Sequence, residues 1–86
     1  MKPTLADAAN TVIPAYLALL QRGLAVSRES ASADAAEALW IAEDAAQRFV
    51  AEGPLALLGL VALYETRGPE WQASDEQIDR FLAEFG

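Results

Sequence analysis

The chain has 86 residues, with 13 acidic and six basic side chains, so its formal charge is −7. That charge repels phosphate backbones and anionic lipid, which excludes nucleic acid and membrane surfaces from the expected partners. The absence of cysteine and histidine removes disulfides, thiolate chemistry, the strongest zinc ligands and the commonest general base.

Alanine and leucine dominate the apolar residues, and both favour helices over strands. We therefore predict an all-α fold, a small four-helix bundle in which residues 1–86 form a single helical domain. The predicted helices cover residues of about 4–22, 33–52, 54–67 and 74–85. An N-terminus without a long apolar core after its lysine is not typical of a secretory signal, so the expected location is cytoplasmic.

The first predicted helix, 4–22, begins with Thr4 as its N-cap and ends at Gly23 as its C-cap. Its apolar side recurs at spacings of four and three, through Leu5, Ala9, Val12, Tyr16 and Leu19. Pro14 interrupts this pattern, because its ring crowds the carbonyl four residues earlier. Either the helix kinks near residues 10–11 or it begins there with Pro14 in its first turn, and we favour the kink.

The second predicted helix, 33–52, follows a polar stretch at 25–33 that is typical of a flexible connection. Asp34 starts a capping-box spacing, and an i,i+4 pair of Asp44 and Arg48 lies on the predicted polar side. The predicted buried stripe consists of Ala35, Leu39, Ala42, Ala46 and Phe49.

The third predicted helix, 54–67, contains ten consecutive residues without a charge, 55–64. Pro54 suits the first helical position, and the Gly-Pro pair at 68–69 ends the helix. Leucines fall on every side, so we expect this helix to be buried all round at the centre of the bundle. The run is too short to cross a bilayer, which needs about 20 apolar residues.

The fourth predicted helix, 74–85, has the clearest capping box in the chain, from Ser74 to Gln77. Its single apolar face follows the i, i+3, i+4, i+7 pattern and consists of Ile78, Phe81, Leu82 and Phe85. Asp75 and Asp79 share a side of this helix, and an exposed charged surface is the favoured interpretation of that pair over a metal or catalytic role.

No catalytic, cofactor-binding or metal-binding residue is predicted, and the protein is not expected to be an enzyme. The five candidate interface residues are Tyr16, Trp40 and Trp71, which are aromatic, and Gly59 and Ala62, which begin a stripe of small residues. Tight packing is expected against that stripe.

The predicted function is that of a non-catalytic, acidic helical protein-interaction module. Its partner is another protein or a second copy of the chain, with a homodimer as one form. An antitoxin-type, immunity-type or regulatory binder of a basic protein is the other form.

The alternative is a carrier-type or small-ligand-holding bundle. A small acidic four-helix protein with serine at a helix start has the outline of an acyl carrier protein. Ser30 and Ser32 lack the Asp-Ser-Leu motif of that family, so we interpret them as caps or linker residues.

Overall fold

The computed structural model describes residues 2–6, 9–30 and 38–86, which form an α+β fold rather than the all-α four-helix bundle predicted above. Three helices accompany one antiparallel sheet, whose strand order is β1-β2-β3. The elements in chain order are α1 (Val12–Gln21), β1 (Ala25–Ser30), β2 (Ala38–Glu43), β3 (Arg48–Ala51), α2 (Pro54–Arg67) and α3 (Asp75–Phe85). Short 3-10 turns at Ala9–Thr11 and Gly68–Glu70 precede α1 and follow α2.

The predicted helix over 33–52 is wrong, since β2, a turn and β3 occupy residues 38–51, and the first residues of the range, 33–37, lie outside the described residues. Three of the five residues in the predicted stripe are alanines, which fit a period of 3.6 without excluding a period of two. In the sheet, Ala42 pairs with Phe49 on the side that packs in the core. Ile41 pairs with Val50 on the opposite side, because successive strand residues alternate between faces.

A turn at 44–47 joins β2 to β3. The carboxylate of Asp44 accepts hydrogen bonds from the backbone N–H groups of Ala46 and Gln47, both at 2.8 Å. These two bonds hold the pKa of Asp44 below its ordinary value. Arg48 lies 3.9 Å from Glu43, its cross-strand neighbour, so the predicted helical pairing of Arg48 with Asp44 is replaced by one that the sheet register provides.

The predicted flexible connection is an edge strand over its described residues, Ala25–Ser30. Its polar composition suits an edge, where charged side chains discourage pairing with another chain. Val26 is half-buried and packs against the core, while residues 27–29 are exposed. Ser32 and the predicted cap at Asp34 lie outside the described residues.

Helix α1 begins at Val12, so residues 2–6 are not helical and Thr4 does not cap a helix. Pro14 lies in the first turn, where its missing N–H costs no hydrogen bond, and the favoured kink is therefore wrong. The predicted cap at Gly23 is confirmed, with φ at +82°. Its N–H donates to Leu20 and the N–H of Leu24 donates to Leu19, which is a Schellman motif that brings Leu24 into the core.

The core lies between the sheet and the helices α1 and α2. Its buried members are Leu19, Leu24, Ala42, Leu57 and Val61. They come from α1, the turn after it, β2 and α2, so the two helices cover one face of the sheet together. An ion pair of 3.4 Å between Arg22 and Glu65 also joins α1 to α2, although its exposed position makes it worth at most about 1 kcal/mol.

Helix α2 has the predicted bounds, Pro54–Arg67, but the prediction that it is buried on all sides is wrong. The buried side consists of Pro54, Leu57 and Val61. Leu55, Leu60 and Leu63 are each more than a third exposed on the other side. The sheet and α1 cover only one side of α2, whereas the predicted bundle would have surrounded this helix.

Helix α3 is confirmed, together with its capping box. The Gln77 N–H donates to the Ser74 hydroxyl at 3.2 Å, and the Ser74 N–H donates to the Gln77 side chain at 2.9 Å. None of the residues 75–85 is buried. The Cα radius of gyration is 15.5 Å, whereas a compact chain of this length would have about 12 Å. Within the described ranges, no helix has the length and apolarity needed to cross a bilayer.

Candidate interaction surface

An uncharged, solvent-exposed surface runs along α2 on the side away from the sheet. At 100° per residue its members share one side of the helix, and all of them are exposed. We call this surface the outer face of α2, and it consists of Leu55, Ala56, Gly59, Leu60, Ala62, Leu63 and Thr66. Its C-terminal end adjoins Arg67, the last residue of the helix.

Gly59 and Ala62, two of the predicted interface residues, lie next to each other on this face. An added Cβ at Gly59 would meet no atom of the described residues within 4 Å, its own helix backbone apart. Nothing in the described part of the chain therefore packs on the small-residue stripe. Gly59 costs roughly 1 kcal/mol in a helix relative to alanine, and packing within the described chain does not compensate that cost.

A second exposed apolar surface lies on α3. Its members are Ile78 at 44%, Phe81 at 60%, Leu82 at 51% and Phe85 at 70% exposure, and we call them the apolar face of α3. The rings of Phe81 and Phe85 contact each other at a centroid distance of 5.0 Å. In the predicted four-helix bundle the helices around 54–67 cover that buried central helix, so the role of this face as an exposed surface was missed. Its periodicity was visible, but periodicity alone does not tell what covers a helix.

An open cleft of about 340 Å³ lies between the end of α2 at Arg67, the connector at 68–74 and the apolar face of α3. Residues from the end of α2, the connector and α3 line the cleft, namely Arg67, Ala73, Gln77, Ile78, Phe81 and Leu82. The Arg67 guanidinium donates to the backbone carbonyl of Trp71 at 2.9 Å, which ties the connector to the end of α2. Gly68 takes a φ of +78°, a conformation that turns the chain sharply there.

Trp71 borders the same surface from another side and is 45% exposed. It lines a groove of about 260 Å³ with Leu60 and Leu63 of α2 and with residues of β3. Tyr64 also lines this groove, and its ring makes an edge-on contact with the ring of Phe49 at a centroid distance of 6.0 Å. Trp71 therefore lies beside Leu60 and Leu63, which belong to the same outer face of α2 as Gly59 and Ala62.

Tyr16 and Trp40 lie apart from that surface and share a different cavity, of about 380 Å³, with residues of α1 and β1. Both are half-buried. The Arg28 guanidinium lies 5.5 Å from the centre of the Trp40 ring, and the two residues form a cation–π contact across the paired strands β1 and β2. The five predicted interface residues therefore form two groups. Gly59, Ala62 and Trp71 lie on α2 and the connector, and Tyr16 and Trp40 lie on α1 and β2.

Charged groups flank the apolar face of α3 without crossing it. By helical position, Asp75 and Asp79 lie along one border and Glu84 along the other. Glu76 and Arg80 pair on the far side at 3.2 Å. The surface can therefore bury apolar side chains while its acidic border stays in water.

Nothing in the described residues brings three or more potential metal-ligating side chains together. Asp75 and Asp79 are both exposed. Ser30 ends β1 instead of starting a helix, and Ser32 lies outside the described residues.

No protein family, curated protein or solved structure matches this chain.

Proposed function

We propose that this protein is a non-catalytic protein-interaction module that binds through the outer face of α2 and the apolar face of α3. The observation that carries the proposal is α3 itself, a well-capped helix whose four large apolar side chains are all exposed. A helix with one apolar face is stable in water chiefly when that face packs against something.

The size of the surface supports the same proposal. A whole Phe side chain offers about 200 Å², so the apolar face of α3 leaves roughly 400 Å² in water. That area alone lies within the range of about 300 to 600 Å² for the largest patch on an ordinary monomer, and the three leucines on the outer face of α2 add roughly 200 Å² on a separate helix. Surfaces of that size commonly mark an interface.

The acidic border and the net charge of −7 suit a basic partner, whereas a second copy of the chain must bind in a way that keeps the acidic borders apart. The absence of cysteine fits a reducing compartment, and the cytoplasm is the proposed location.

A photo-crosslinking side chain tests the proposal directly. A benzophenone amino acid is placed at Phe81, on the apolar face of α3, or at Arg80, on its far side, and the full chain is irradiated in its native cells. We expect a protein adduct of discrete mass from position 81 only, and its loss when Phe85→Ser is added. No adduct at position 81, or the same adducts from both positions, would overturn the proposal.

A further inference from the structure

The two apolar surfaces of one chain complement each other. Helix α2 spans 14 residues, about 21 Å, and α3 spans 11 residues, about 16 Å. The α3 side presents large side chains, whereas the α2 side has Gly59 and Ala62 near its middle, where a neighbouring helix can approach closely. Resting on the proposed function, we propose that the occupant is a second copy of this chain. In this dimer, α3 of each copy packs on the outer face of α2 of the other, about a two-fold axis.

The surface area fits this arrangement. A two-fold interface uses the same surface of both copies, so each copy covers the α2 and α3 faces of the other at once. Twice the roughly 600 Å² of exposed apolar surface is about 1,200 Å², the lower end of the range for stable protein interfaces. Neither face alone reaches that size.

Charge distinguishes this packing from a direct pairing of α3 with α3. Two α3 helices face to face would bring the acidic borders at Asp75, Asp79 and Glu84 towards their own copies. The outer face of α2 carries no charge along its length, and Arg67 at its end is of the opposite sign to those borders. Packing of α3 on α2 therefore avoids the repulsion that pairing of α3 with α3 would create.

The net charge gives the dimer a recognisable salt dependence. Two chains of −7 repel each other at low ionic strength, and salt screens that repulsion. We expect the dimer to tighten severalfold between about 20 mM and 500 mM salt, whereas a complex with a basic protein would weaken over the same range.

Engineered cysteines test the packing, because the chain has no cysteine of its own. Leu63→Cys lies on the outer face of α2, Ile78→Cys on the apolar face of α3 and Arg80→Cys on its far side. A mixture of the Leu63→Cys and Ile78→Cys proteins, oxidised under mild conditions, is expected to give a mixed disulfide dimer. The mixture with Arg80→Cys as the second protein is the control and is expected to give at least fivefold less.

Gly59→Leu provides a second measurement that does not depend on disulfide geometry. The added side chain points into open space in the described chain, so the fold accepts it, but it occupies the position of the partner's α3. We expect a dimer dissociation constant raised at least tenfold, with the far-ultraviolet circular dichroism spectrum unchanged.

A disulfide formed only between copies of Ile78→Cys, or equal dimerisation of Gly59→Leu and the unaltered chain, would overturn the reciprocal packing. Failure here is distinguishable from failure of the proposed function. A photo-adduct at position 81 with a mass other than twice that of the chain would overturn the second copy as occupant and leave the interaction module standing.

Discussion

Leu19 is the side chain through which α1 holds the core together, and its truncation gives the sharpest test of the fold. It is fully buried, at 0% exposure, in one cluster with Leu24, Ala42, Leu57 and Val61. Replacing a fully buried leucine by alanine removes its transfer free energy and leaves a cavity, at a combined cost of about 2 to 5 kcal/mol. A chain of this length has a free energy of unfolding of roughly 4 to 13 kcal/mol. At the midpoints of these two ranges, Leu19→Ala is expected to remove about 40% of the stability.

The matched control is Leu17→Ala, the same substitution in the same helix at a side chain that is 50% exposed. Half of the surface of Leu17 is already in water, so we expect a loss of about 1 kcal/mol or less. Urea unfolding at one fixed protein concentration measures the stability of both variants. Tryptophan fluorescence follows the unfolding, because Trp40 packs against the core cluster. Equal losses for Leu19→Ala and Leu17→Ala would refute this account of how α1 packs.

Three further substitutions test local features. The pKa of Asp44 lies below its ordinary value of 3.8, because the Ala46 and Gln47 N–H groups donate to its carboxylate. Its contribution to stability is therefore present above that value and is lost as the pH falls through the lower folded-state pKa. The difference in urea midpoint between Asp44→Ala and the unaltered chain should shrink below about pH 4, and a difference that stays constant from pH 7 to pH 2 would contradict this. Ser74→Ala removes a cap worth about 1 kcal/mol, and we expect faster amide exchange in α3 with an unchanged unfolding midpoint of the chain diluted to monomer, since α3 buries no side chain within its own copy. Gly23→Ala forces a side chain into a φ of +82° and is expected to cost about 1 to 2 kcal/mol in urea unfolding, and a loss below a few tenths would exclude the Schellman turn.

The elements that local chemistry specifies are the ones that the sequence predicts well. Pro54 and Gly68 set the bounds of α2, the capping box at Ser74 sets the start of α3, and Gly23 ends α1 in the predicted way. Pro54 starts a helix at little cost, because it lacks one of the N–H groups that the first turn leaves without a partner. At the other three positions, one or two neighbouring residues satisfy backbone groups that a helix end leaves without a partner. Such signals do not depend on the rest of the fold.

The strands depend on pairing between distant segments, and no local signal reports it. Trp40 pairs with Arg28 on one side and with Ala51 on the other, a register that only the folded sheet provides. The alanines at several positions of the 33–52 segment made its apolar residues fit a helical period. The context of the strand therefore overrode helix propensity, as tertiary packing commonly does.

The candidate site was predicted in part. Gly59, Ala62 and Trp71 lie on or beside the outer face of α2, so three of the five predicted residues adjoin the surface described here. The apolar face of α3 was predicted as a helix face, but its exposure was missed. Sequence periodicity identifies an apolar face, and only the arrangement of the other elements determines whether the face is covered.

Sedimentation equilibrium of the unaltered chain over a dilution series measures directly whether two copies associate. We expect a mass of twice 9.2 kDa that falls towards the monomer on dilution, with a midpoint that moves to lower concentration as salt increases. A mass of 9.2 kDa at every concentration and every salt level would contradict the claim that the faces of α2 and α3 cover each other in a second copy.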